Sequence, residues 1–170
     1  MKSIPLYLLL GLGVTWIIIS DEIDLSFPSI MTLSAWVFVT VWSSTGNALV
    51  AVVSCLVVGA GLETLNGVVV TKVGVPSIVI TISAMFLWRG MTMVASGGQS
   101  TSLTWTQDSI LHDVLVGQLG PVPMQMVWAV GLTVVFWVFL NRHWFGTYVL
   151  VTGDNEMEGR ALGGNVERVK

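Results

Sequence analysis

Five long apolar stretches, residues 4–20, 27–43, 47–70, 76–95 and 122–140, alternate with short polar or glycine- and proline-bearing breaks. A helix needs roughly 20 apolar residues to cross a ~30 Å hydrocarbon core, and helices satisfy every backbone polar group internally. Each stretch therefore predicts a membrane-crossing helix. The strict alternation of a barrel strand is missing, since residues 127–140 stay apolar without a period of two. The first stretch, with Lys2 ahead of it, has the outline of a signal peptide. Ile18, Ile19 and Ser20 nevertheless lead into acidic residues with no small-residue cleavage pattern. The expected fold class is all-α: a polytopic transmembrane bundle of about five spans over residues 1–140, followed by a polar segment over 141–170.

Composition sharpens this picture. Hydrophobic residues make up 54% of the 170 positions and charged ones only 10%, against about 25% charged in an ordinary soluble domain. Mean hydropathy is +0.82. A net charge of −3 with no basic stripe excludes a nucleic-acid partner, and the apolar content excludes intrinsic disorder. The single cysteine, Cys55, permits neither an internal disulfide nor a cysteine metal site. Lys and Arg positions set the orientation. Arg142, Arg160, Arg168 and Lys170 predict a cytoplasmic tail. Counting back places Lys72 inside and the loop 96–121, which has no Lys or Arg, outside. Only Lys2 falls on the unexpected side.

Charges within the apolar runs are the candidates for function. Glu63 lies inside the third stretch, where a carboxylate costs about 3 kcal/mol on insertion scales and usually faces a bundle interior. Ala51, Cys55 and Gly59 precede it at intervals of four, a small-residue stripe that admits a close neighbour. Packing near the interface and a pathway or ion-pair role are both open to it. Arg89 lies about 20 Å along the fourth stretch. It either snorkels to the outer headgroups or pairs with Glu63, ~7 Å away in depth by helical rise. Asp21, Glu22 and Asp24 form an acidic knot between the first two stretches. A metal site there lacks histidine support. An N-cap at Asp24 or Ser26 with Pro28 in the first turn explains the segment more simply, as a helix break at the inner interface or re-entrant.

Beyond Asn141 the chain turns polar. Trp144 and Tyr148 suit an interfacial aromatic belt. Asp154 or Asn155 can cap a short helix near 156–162, with Gly163 and Gly164 as its stop. Such a helix either docks on a soluble partner or is an ordinary linker. Phosphate-cradling, dinucleotide, zinc-protease and nucleophile-elbow motifs are all absent from the sequence. His112 and His143 fall on opposite sides of the predicted bilayer. His112 sits in a short amphipathic piece of the outer loop, suited to the membrane surface.

Several stretches then match a known pattern: Glu22 to Ser26, Gly61 and Leu62 with Leu65 to Gly67, Val75 to Ser77, and Trp88 to Gly90. The tail adds Asn141, Arg142, Phe145, Gly146, Tyr148, Gly153, Asn155, Glu156, Arg160, Gly163, Asn165, Val166 and Arg168 to Lys170. Together they resemble the permease subunits of ribose-type simple-sugar ABC importers. Phe27, Pro28 and Gly164 depart from that pattern. Members are about twice this long, so the resemblance implies a truncated member, with a helix before Met1 and more after Lys170. It also implies an inner-membrane transporter subunit without an ATPase site, binding no cofactor itself. ATP and Mg would sit on a partner ABC ATPase, alongside a second permease chain and a periplasmic sugar-binding protein. Candidate transport-path residues are Asp24, Ser26, Glu63, Asn66, Thr81 and Arg89. The coupling contact to the ATPase would involve Gly153, Asn155, Glu156, Arg160 and Gly163. The other reading is a non-transporting membrane remnant or regulatory protein that associates with a full-length permease.

Overall fold

The computed structural model describes residues 4–19, 22–103, 106, 109–143, 146, 149 and 150. They form an all-α membrane protein: α1 (Ile4–Ile19), α2 (Phe27–Thr45), α3 (Ala48–Val73), α4 (Ser77–Ser96), α5 (Ile110–Val116) and α6 (Met124–Arg142), with a small hairpin of β1 (Gln118–Leu119) and β2 (Val122–Pro123). Helices α2, α3, α4 and α6 are each long and apolar enough to cross a membrane. Helix α1, at 16 residues, is an apolar helix shorter than the roughly 20 residues of a full span. Among the described residues, four helices of crossing length and the apolar helix α1 occupy the five apolar stretches of the sequence. The contacts fall into two compact units, Ile23–Trp105 and a second made of Met1–Glu22 with Thr106–Lys170.

Within Ile23–Trp105, α2 and α3 form a tight antiparallel pair. Gly46 closes α2 at φ +64°, a left-handed conformation that side chains resist. Asn47 follows at once as the N-cap of α3, its side chain accepting from the amides of Leu49 and Val50. The predicted small-residue stripe of α3 is the face that meets α2. Ala51 is completely buried, and a Cβ placed on Gly59 would stand 3.2 Å from Ser34 Oγ. Helix α4 packs on the same pair, and Ile30, Leu33, Ala84 and Trp88 form the core, flanked by Trp36 and Leu62. Most other large apolar side chains, including Leu49, Val53, Leu56, Val57 and Leu65 on α3, are exposed. An apolar solvent makes that arrangement stable, because lipid solvates such faces and packing of small residues holds the helices together.

In the second unit, α1 and α5 each pack on α6. The outer-loop helix predicted around His112 is α5, capped by Ser109, whose hydroxyl accepts from the His112 amide. Trp128 of α6 donates its indole N–H to the Val114 carbonyl at 2.9 Å. The hairpin that follows α5 starts α6 at Met124 rather than at residue 122. Trp128→Phe keeps the ring and removes that donor. It is expected to speed amide exchange across Ile110–Val116, by about fivefold to tenfold for a bond of ~1 kcal/mol, as read by hydrogen–deuterium exchange.

Candidate functional site

Between residue 22 and the start of α2 the backbone leaves the helix, and the apolar helices around it supply polar partners. Ser26 is the positional N-cap of α2, with Pro28 in the first turn, yet its side chain does no capping. Its hydroxyl instead donates to Asp24 Oδ1 at 2.6 Å, and its amide donates to the same oxygen at 2.6 Å. The Asx turn so formed satisfies a break that would otherwise expose backbone donors.

Longer-range bonds fix this turn in the unit. Asn66 of α3 donates from Nδ2 to Ser26 Oγ at 2.9 Å. Trp88 of α4 donates from Nε1 to Asn66 Oδ1 at 3.4 Å. The Thr81 hydroxyl donates to the Ile23 carbonyl, and the Ile23 amide donates to Ser77 Oγ. Ser26, Asn66, Thr81 and Trp88 are all buried. Glu63, one turn before Asn66 on α3, places its carboxyl beside that of Asp24. The result is a directional series in which Trp88, Asn66 and Ser26 each donate to the next group, ending on the Asp24 carboxylate.

The depth of the break follows from helix geometry. Thr81 is four residues inside α4 and Asn66 seven residues inside α3, which is ~6 and ~10 Å at 1.5 Å per residue. The segment therefore runs inward from the level of Ser77, the first residue of α4, at Ile23 to the level of Asn66 at Ser26. Irregular backbone at such depth is stable only when protein or a polar cavity surrounds it. These bonds supply that surrounding.

Five of the six predicted path residues, Asp24, Ser26, Glu63, Asn66 and Thr81, come together here. Arg89 does not. Glu63 meets Asp24 instead of Arg89, and among the described residues Arg89 has no ion-pair partner. Arg89 lines a separate groove of about 510 Å³ with Trp36 and Phe38 of α2, Thr92 and Ser96 of α4, and Gln99. Trp88 and Ser77 join the junction although the sequence marks them only as members of the family-like stretches Val75 to Ser77 and Trp88 to Gly90. By its chemistry a tryptophan in an apolar run reads as packing, and a further hint is the position of Trp88 one turn from Thr92 on α4. The coupling residues Gly153, Asn155, Glu156, Arg160 and Gly163, together with Asp21, Trp144 and Tyr148, lie outside the described residues. Among the described residues no group of three or more metal-ligating side chains gathers.

Comparison with known proteins gives the geometry a context. Residues 1–170 match the family described as branched-chain amino acid transport system / permease component. The chain is 32% identical over 164 residues to the ribose import permease protein RbsC of Escherichia coli K12, covering 95% of this chain and 51% of that protein. It is 26% identical over 169 residues to the xylose/arabinose import permease protein XylH of Sulfolobus acidocaldarius, covering 95% and 46%. It is also 28% identical over 173 residues to the autoinducer 2 import system permease protein LsrC of Yersinia enterocolitica, covering 99% and 46%. The chain thus spans about half the length of the curated relatives it matches. No solved structure matches it.

Proposed function

The chain belongs to the family of branched-chain amino acid transport system permease components, and from that premise we propose that it serves as the membrane permease component of an ATP-driven importer for simple sugars, ribose or related pentoses and hexoses. Its relatives are named for the import of ribose, xylose and arabinose, and autoinducer 2. The observation that carries the reading is the 32% identity to a ribose import permease across 95% of the chain. Four apolar helices of spanning length make it a multi-pass membrane protein, and the family places it in the cytoplasmic membrane.

In this reading a separate ABC ATPase binds ATP and Mg, a second permease chain completes the path, and a periplasmic binding protein delivers sugar. The inward-running turn at 22–26 is the polar element beside the path, with Asp24, Ser26, Glu63, Asn66 and Thr81 around it. Nucleotide-driven closure of the ATPases acts on residues 153–163, where Asn155, Glu156 and Arg160 form the polar contact. Such coupling needs two permease states that meet the ATPase differently, since equal contact in both shifts nothing.

The test is reconstitution of the chain in liposomes with its cognate ATPase. Co-purification of the two and sugar-stimulated ATP hydrolysis are the expected results. Absence of both would instead favour a non-transporting membrane protein. The double substitution Asn155→Ala with Arg160→Ala is expected to leave basal ATP hydrolysis in place and to reduce sugar uptake at least ~10-fold, the size of one lost charge-assisted contact. Unchanged uptake would remove the coupling assignment.

A further inference from the structure

Arg89 sits ~18 Å along α4 from Ser77 and ~10 Å short of its Ser96 end. A guanidinium at that depth in a spanning helix is costly unless it faces water, a partner or a ligand. It opens into a groove of about 510 Å³ that α2, α4 and residues 98–103 line and that is open on one side, a volume within the ~300–1,000 Å³ of small-molecule sites. Two aromatic rings, Trp36 and Phe38, line the same space, along with Thr92, Gln99 and Thr101. This lining joins an apolar ring surface to hydroxyl and amide groups that both donate and accept, and to one fork of five donors.

The chemistry of that set selects its ligand. A polyhydroxyl ring has apolar C–H faces for the aromatic surface and hydroxyls around its rim for the polar groups. Among the described residues Arg89 is the only cation in the lining. We propose that the Arg89 groove is a contact site for a neutral sugar, with the guanidinium donating to ring hydroxyls and Trp36 covering a ring face. The site is separate from the Ser26 junction and rests on the sugar-import reading given above. The expected orientation puts the Ser96 end outside, so this is where an arriving sugar first meets the chain.

The test uses the complete importer in cells, with Cys55→Ser as background and Ser96→Cys as the reporter. Ribose, xylose and arabinose are the probes. A membrane-impermeant maleimide is expected to label the reporter, and a transported sugar is expected to slow labelling. Arg89→Gln should abolish that protection and raise the KM for uptake about 10-fold while leaving kcat within twofold, as the loss of one charge-assisted bond to a neutral ligand predicts. Arg89→Lys, which keeps the charge and so guards against simple misfolding, should give an intermediate KM. Intact uptake with no sugar protection, or a KM indifferent to Arg89→Gln, overturns the site while leaving the transporter reading intact. No uptake of any of the three sugars by the unsubstituted importer overturns both.

Discussion

Asn66→Leu is expected to be the most damaging single change in the described part of the chain. Asn66 donates to Ser26 Oγ and accepts from Trp88 Nε1, so a leucine of similar size fills the space and answers neither partner. The Trp88 N–H and a lone pair of Ser26 are then buried without a bond, each costing roughly 1–3 kcal/mol. Because Ser26 also orients the Asp24 turn, the loss spreads to the backbone of the break. Purified protein in detergent should unfold several degrees lower, and sugar uptake by the importer should fall with it. Ser26→Ala should be milder, since Asp24 Oδ1 loses the hydroxyl but keeps the Ser26 amide, and only the Asn66 amide is left without a partner. Should the two variants unfold together at the parent temperature, the junction contributes nothing to stability.

The second large effect belongs to Gly59. A methyl group there would already sit 3.2 Å from the buried Ser34 hydroxyl of α2. Gly59→Leu sends three further carbons into that helix, and overpacking of this kind costs about 1–3 kcal/mol or more. At Gly61, two residues on, an added Cβ would meet nothing within 4 Å, so Gly61→Leu should be close to neutral. Comparing the detergent unfolding midpoints of the two variants isolates the contact from helix propensity, which improves equally in both. Equal midpoints would mean that α2 and α3 do not rely on that close approach.

The spans are legible in the sequence because burial in lipid demands composition before it demands detail. Runs such as 48–73 announce themselves by apolar content alone. The stripe of Ala51, Cys55, Gly59 and Glu63 is legible too, since spacing by four fixes one helical face. The pairing of Glu63 with Arg89 fails for a specific reason. Rise per residue gives depth along a helix, but partner choice also depends on azimuth, which turns ~100° at every residue and needs the packing to be known. The Asp24 contact of Glu63 depends on a non-helical turn whose direction no periodicity encodes. The hairpin at 118–123 escapes for another reason, as two residues per strand carry no readable alternation.

The pair α2 and α3 is fastened at both extremities: by the Gly46 and Asn47 corner at one, and by the Asn66 to Ser26 bond near the other. A doubly clasped pair cannot slide lengthwise by a helical turn without tearing one fastening. Trp88 and Thr81 bond α4 to the same pair, so the three helices form one stiff block and residues 74–76 are a corner within it rather than a hinge.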